Sequence, residues 1–203
     1  MYPLTVRLED KRVVVVGGGR VASFKIGPLL RAGADVVVVS KELDVRVVQL
    51  VEEEKIRWLQ KEYEASDILD AFLVVAATND SKLNEKVADD AHPNQLVNVI
   101  TNPESGNIHF PAAIHRGKLN IAVSTGGASP KLAKKIRDQI AQQYDERYEE
   151  YLQFLYEVRL KVKGLEREKK QSILQEVLDA VYIESENHRL HLLQSLDEIL
   201  LIE

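Results

Sequence analysis

The sequence contains no cysteine, which rules out disulfides, thiolate metal centres and cysteine nucleophiles together. No apolar run approaches the roughly 20 residues that span a bilayer. The opening stretch, MYPLTVRLED, lacks the basic and apolar regions of a signal peptide. No membrane association and a cytoplasmic location are the expectation. An excess of positive charge is missing too. The 27 Lys and Arg face 32 Asp and Glu, a formal net charge of −5. Without a net basic field to steer a polyanion, no nucleic acid is expected as a main partner. At 203 residues the chain is long enough for one or two domains with a real core.

The most informative stretch is RVVVVGGGRVASFK, residues 12–25. Four β-branched valines in a row suit a strand buried on both faces of a parallel sheet. The run breaks into Gly17, Gly18 and Gly19, and residues 20–30 then read as a helix. Gly17, Gly19 and Ala22 fit the dinucleotide spacing G-x-G-x-x-G/A: the first for a tight turn, the second for close backbone approach to a pyrophosphate, the third for helix–strand packing. The phosphates would meet the free N–H groups at the start of that helix, at Arg20 and Val21. A tight turn that binds nothing is the bland alternative.

Gly33 is a plausible C-cap glycine, and residues 35–40, DVVVVS, form a second buried strand that completes a βαβ unit. In NAD-binding units this strand usually ends in an acidic residue that bonds the ribose. Here it ends in Ser40, followed by Lys41 and Glu42. Ser40 can bond a ribose hydroxyl and Lys41 can pair with the 2′-phosphate of NADP. The absence of arginine leans the choice to NAD. Residues 43–54 read as helix, 56–59 as strand, 70–77 as strand, 81–91 as helix and 96–100 as strand. This rhythm predicts an α/β, Rossmann-like doubly wound parallel sheet over residues 1–113. Ligands of such sheets bind beyond the carboxyl ends of the strands. That gathers the glycines, Ser40, Thr78, Asn79, Asp80 and the stretch 101–104 around one crevice.

The pattern changes at Pro103. In residues 118–124, KLNIAVS, the period is two, with Leu119, Ile121 and Val123 on one face, which predicts an antiparallel, half-exposed strand. Ser129 is a good N-cap and Pro130 a good first helical residue. Leu132, Ile136, Ile140 and Tyr144 form an apolar stripe, with Lys131, Lys134 and Lys135 opposite. A glycine-rich loop, a helix N-terminus and three lysines make a second anion-receptive place, although a solvated helix face looks the same. An α+β segment over 114–147 is therefore followed by a small helical domain over 148–203. In that domain Tyr151, Leu155, Val158 and Val162 give one apolar stripe, Ile173, Val177 and Val181 another, and residues 188–202 a third. Glu184, His188 and His191 fall at metal-ligand spacing on one helix face, but an exposed polar face explains them better, and no metal site is assigned.

Taken together, YPLTVRLEDKRVVVVGGGRVASFK, VVVVSKEL, LVVAATND, VNV and FPAAIHRGKLNIAVSTGGASPKLAKKIR resemble the siroheme-synthase N-terminal family. Its members are precorrin-2 dehydrogenases, some of which are also sirohydrochlorin ferrochelatases. The paired signature GGGxVAxxK and AVSTGGASPxLA is more specific than the glycine loop alone. The chain is similar to the short, stand-alone bacillus-type members, with no room for a fused methyltransferase domain. The resemblance implies NAD-dependent removal of two electrons and protons from precorrin-2, giving sirohydrochlorin for siroheme or cobalamin. It also implies a homodimer built through residues 114–144, which makes 114–147 the dimerisation segment. A polycarboxylate substrate calls for cations, and His115, Arg116, Lys118, Lys131, Lys134 and Lys135 are the candidates. Ser124 matches the family serine before the glycine pair, and it is expected to line the substrate pocket.

One departure matters. The family often carries an aspartate pair after N-V-[VI], one member of which is regarded as the acid/base. Here those positions are Thr101 and Asn102, which do not titrate near neutral pH. Glu104, His109, His115 and Ser124 remain as catalytic candidates, as does water with no protein base. Chelation, which removes two pyrrolic protons, suffers more from the missing carboxylate than dehydrogenation does. The expectation is a dehydrogenase with little or no chelatase activity. The rivals are a bifunctional dehydrogenase and ferrochelatase, an NAD-sensing module, and an oxidoreductase acting on another small anion.

Overall fold

The computed structural model describes residues 1–202, with side chains through Glu198. They divide into two compact units, residues 1–110 and residues from Pro111 onward. The segment at 114–147 and the helices that follow it thus fall in one unit.

The first unit is built on five parallel strands: β1 (Arg12–Val16), β2 (Asp35–Ser40), β3 (Arg57–Gln60), β4 (Leu73–Ala76) and β5 (Leu96–Val99). Their order is β3-β2-β1-β4-β5, a doubly wound arrangement whose switch point lies between β1 and β4. Val13 to Val16 register against Val36 to Val39 on one side and Leu73 to Ala76 on the other. All four are at most 1% exposed, because helices cover both faces. Val13 and Val15 pack with Ala22, Ile26 and Leu29 of α1 (Arg20–Arg31) and Val47 of α2 (Val45–Glu52). Val14 and Val16 pack with Ile68 and with Val87 of α3 (Ser81–Asp89). Each such valine contributes about 1.5 kcal/mol or more by leaving water. The unbroken valine run exists because neither face of this strand meets solvent.

Helix ends follow their capping residues. α1 closes with Gly33 at φ +76°; Gly33 N donates to Leu30 O and Ala34 N to Leu29 O, a Schellman pair. α2 begins at Val45 rather than at residue 43, because Asp44 accepts from Arg46 N and so fixes the first turn. β4 begins at Leu73 rather than at residue 70: Asp70 is drawn to Arg12 by an ion pair, and Ala71 N bonds Ile68 O in a turn. The outer edge of β5 is closed by the chain itself. Asn107 accepts from Val97 N through its side chain and donates to Gln95 O, while Asn98 Nδ2 donates to Ile108 O. These bonds satisfy edge groups that would otherwise be free to pair with another chain.

In the second unit, β6 (Ala112–Arg116) and β7 (Leu119–Val123) form an antiparallel ribbon. Its two-residue turn uses Gly117 at φ +53°. Leu119, Ile121 and Val123 are half-buried while Asn120, Ala122 and Ser124 are exposed, the alternation of period two. Helix α4 (Pro130–Gln143) follows, with Ser129 accepting from Leu132 N as its cap. Its covered face differs from the expected stripe by one position. Leu132 is 48% exposed and Ala133 is buried, so the small alanine, rather than the leucine, sets the closest approach.

The remaining helices are α5 (Arg147–Lys161), α6 (Arg167–Glu176), α7 (Val181–Glu184) and α8 (Glu186–Ile202). Their core holds Tyr151, Phe154, Val158, Val162, Val177, Tyr182 and Leu196. Phe154 takes a central place, whereas Leu155 is only half-buried. Ile173, Val177 and Val181 do not lie on one helix, since α6 ends before Val177 and α7 starts at Val181. The end of the 188–202 stripe lies outside the residues with described side chains. No described helix is long and apolar enough to cross a membrane.

Candidate functional site

Three consecutive glycines serve three different neighbours. Gly17 sits at φ +110°, and a Cβ there would lie 2.5 Å from Ala77 O at the end of β4; only glycine fits. A Cβ on Gly18 would lie 2.4 Å from Glu42 O and 2.5 Å from Ser40 Oγ, so Gly18 admits the loop that leaves β2. Gly18 O also accepts from Asp44 N at 2.7 Å. At Gly19 a Cβ would meet nothing within 4 Å. No packing among the described residues demands a glycine there. Gly19 is the N-cap of α1, and no side chain caps this end and no acidic residue occupies its first turn. α2, α3 and α4 by contrast are capped by Asp44, Asp80 and Ser129. The first N–H groups of α1, at Arg20 and Val21 onward, thus keep their donor capacity and the positive end of the helix dipole.

This end opens onto a cavity of about 550 Å³ at the carboxyl ends of four strands. Gly17, Gly18 and Gly19 border it after β1, Ser40 to Glu42 after β2, Lys61 to Tyr63 after β3, and Ala77 to Asp80 after β4. Of the expected gathering, the glycines, Ser40, Thr78, Asn79 and Asp80 border this one space, and Lys41 joins them, while 101–104 does not. An uncapped helix end beside a position kept clear of any side chain fits a pyrophosphate. The residues present therefore suit a dinucleotide.

Individual side chains depart from the expected roles. Ser40 Oγ is buried without a hydrogen-bond partner, tucked against Gly18, so it does not present itself to a ribose. The Ser40 carbonyl accepts from Trp58 Nε1 at 3.0 Å. Lys41 has an acidic partner at the rim: its Nζ lies 2.5 Å from Glu62 Oε1 in an exposed pair. That bond raises the lysine pKa and lowers that of the glutamate. Tyr63 donates to Asp90, and burial, then Asp90, pushes its phenol well above the usual range. Arg20 lies over the Phe24 ring at 5.9 Å, and Val21 is 43% exposed; what these two residues offer the cavity is backbone.

A residue that sequence reasoning missed holds the β4 wall. Asn84, on α3 and fully buried, accepts from Thr78 N at 3.0 Å and from Thr78 Oγ1 at 2.7 Å. Its Nδ2 donates to Thr78 O and to Thr101 Oγ1. Asn84 thereby ties the end of β4 to the residues after β5. Its signal was available: an asparagine at a helix position facing the sheet has to find partners there.

The stretch 101–104 does not border the cavity. Thr101 is the acceptor just described, and Asn102 caps a single helical turn by accepting from Glu104 N while its Nδ2 donates to Ser105 Oγ. Glu104 is exposed, and His109 Nε2 lies 3.3 Å from Pro103 O. In the second unit, His115 hydrogen-bonds Asn120 across the ribbon, Arg116 pairs with Glu146 at 3.2 Å, and Lys118 lies over the Tyr156 ring at 4.2 Å. Lys131, Lys134 and Lys135 are exposed on the first turns of α4. Ser124 Oγ accepts from Gly126 N, beginning a loop in which Gly126 and Gly127 both have positive φ. Glu184 does not share a helix with His188 and His191: the extended Ser185 separates α7 from α8, and His188 Nδ1 bonds Ser185 Oγ.

Comparison with known proteins returns one family along the chain. An NAD(P)-binding family model matches residues 4–112, a sirohaem biosynthesis protein central model matches 116–143, and a SirC C-terminal domain model matches 148–191. The chain is 36% identical over 161 residues to a precorrin-2 dehydrogenase of Bacillus subtilis, covering 79% of this chain and 99% of that protein. It is 36% identical over 184 residues to a precorrin-2 dehydrogenase of Priestia megaterium, covering 90% and 91%. A siroheme synthase of Mannheimia succiniciproducens is 40% identical over 140 residues, 68% of this chain but 29% of that protein. Among solved structures, SirC, a precorrin-2 dehydrogenase, superposes with a TM-score of 0.87 at 34% identity, covering 98% of this chain and 100% of that one.

Proposed function

We propose, from the fact that this chain belongs to the precorrin-2 dehydrogenase family, that it oxidises precorrin-2 to sirohydrochlorin in siroheme synthesis with NAD as the electron acceptor. The observation that carries this is the uncapped start of α1, with Gly19 kept clear, opening on a cavity at the strand ends. A nicotinamide held there would supply the acceptor for a hydride from a substrate carbon, with the accompanying proton released to water. The chain supplies binding and orientation: N–H donors at Arg20 and Val21 for the diphosphate, and a wall at Thr78 and Asn79 braced by Asn84. NAD rather than NADP is favoured because Lys41 is already paired with Glu62.

The polycarboxylate substrate is assigned to the second unit's exposed Lys131, Lys134 and Lys135, the Gly126–Gly127 loop and Ser124. A homodimer through residues 114–144 is part of the proposal, since α4 packs on a ribbon of only two strands, an arrangement with unpaired edges and little stability alone. The reaction is placed in the cytoplasm. Chelation is not assigned, because Thr101 and Asn102 are occupied as acceptor and turn cap and neither titrates near neutral pH. The test is spectral. Protein, NAD and precorrin-2 should give sirohydrochlorin absorbance and NADH together, with insertion of cobalt or iron far slower. NAD binding without turnover would instead indicate a sensing module.

A further inference from the structure

Two lysines border the cavity where β2 and β3 end, and the sequence alone makes Lys41 a natural partner for a 2′-phosphate. The structure gives each of them an acidic partner. Lys41 Nζ lies 2.5 Å from Glu62 Oε1. Lys61 Nζ lies 2.7 Å from Glu64 and 3.0 Å from Asp67. Glu42, also on the rim, adds a carboxylate close enough to act on Lys41. The third lysine of the lining, Lys86, lies over the Tyr63 ring at 5.8 Å. Counting these partners, the two lysines meet four carboxylates, Glu42, Glu62, Glu64 and Asp67, and neither ammonium stands without an acid beside it.

We infer that Glu62 determines cofactor specificity: by holding Lys41 across the β2–β3 rim it denies that cation to a 2′-phosphate and leaves carboxylates facing the ribose edge. This rests on the dinucleotide reading of the cavity given above. In Rossmann-type sites the discriminating acid usually stands at the end of β2 itself and bonds the ribose diol. Here that position is Ser40, whose hydroxyl is buried. The negative charge comes instead from the residue two beyond β3, which register brings alongside: Ser40 pairs with Gln60, and Gln60 Nε2 reaches Lys41 O at 3.4 Å. A dianionic phosphate arriving at this rim meets the carboxylates of Glu42 and Glu62 and an ammonium already engaged by one of them. A free diol pays no such repulsion.

Removing one carboxylate should therefore convert Lys41 from a neutralised group into a phosphate ligand. The experiment measures NAD and NADP dissociation constants by calorimetry for the full chain and for Glu62→Gln, Lys41→Ala and the double variant, at low ionic strength. The wild-type protein should bind NAD at least about tenfold tighter than NADP. Glu62→Gln should raise the NADP-to-NAD affinity ratio by about tenfold, and adding Lys41→Ala should return it to within about threefold of wild type. Glu62 is 77% exposed at its side chain, so the substitution leaves the core untouched. Glu62→Ala serves as a second variant with the same expectation. A ratio unmoved by either Glu62 variant, or a gain that survives removal of Lys41, overturns the assignment. So does a wild-type protein that binds both dinucleotides equally. Binding of neither overturns the dinucleotide reading itself, and this inference with it.

Discussion

Substituting each glycine of the loop by alanine separates folding from cofactor binding within three adjacent residues. At Gly17 the backbone stands at φ +110° and the new methyl would lie 2.5 Å from the Ala77 carbonyl, just past β4. The conformation alone costs roughly 1–3 kcal/mol, and the clash with backbone adds to it, so a loss of about 3 kcal/mol or more is expected. Gly18→Ala meets Glu42 O at 2.4 Å and should cost a comparable amount. Gly19→Ala meets nothing within 4 Å. The methyl reduces the freedom of the unfolded chain, worth about 0.4–1 kcal/mol, and offers a poorer N-cap by a similar amount. The folded protein should therefore stay within about 1 kcal/mol of wild type. Yet that methyl stands where a pyrophosphate must approach the α1 amides. Losing one or two hydrogen bonds to a charged group, about 1.5–3 kcal/mol each, weakens NAD by roughly tenfold to a few hundredfold. Urea midpoints and a calorimetric NAD titration read the two effects separately. If Gly19→Ala unfolds as early as Gly17→Ala, or binds NAD as tightly as wild type, the division of labour is wrong. Gly19→Asp, which adds a negative charge, should raise the NAD requirement at least tenfold, about 1.4 kcal/mol.

Asn84→Leu keeps the volume but leaves Thr78 N, Thr78 O and Thr101 Oγ1 without their partner; a loss of about 2–4 kcal/mol in urea unfolding and weaker NAD binding are expected. Lys134→Glu should weaken tetrapyrrole binding more than NAD binding in paired titrations, and equal weakening of both would remove α4 from the substrate site. Tyr182, buried and hydrogen-bonded to Glu176, has its phenol pushed up to about 12, by burial first and then by that bond. A raised phenol pKa means that the folded state holds its proton longer. The stabilisation is therefore complete below about pH 10, the unfolded value, and is lost as pH rises from there toward about 12. Tyr182→Phe should lessen this alkaline loss in pH-dependent urea melts, and an unchanged slope would count against the burial argument.

The first unit was largely legible because its signals are local. A valine run can be covered on both faces only inside a parallel sheet, and glycines after it mark a turn followed by a helix. In the second unit Ser129 before Pro130 likewise announces α4. What sequence could not supply depends on partners distant along the chain. Lys41 is neutralised by Glu62 from the next strand, and Asn84 is committed to Thr78 and Thr101. In the second unit a four-residue spacing identified a helix but not which of two adjacent residues touches the ribbon, so Ala133 rather than Leu132 is buried. Glu184, His188 and His191 fell apart as a cluster because one extended residue, Ser185, changes the direction of the chain between them.

The most direct test of the whole is a single stopped mixture of purified protein, NAD and anaerobically prepared precorrin-2. Equal amounts of NADH and sirohydrochlorin should appear, and Gly19→Asp should slow both alike. Precorrin-2 left unoxidised by folded protein with NAD and with NADP would contradict the assignment.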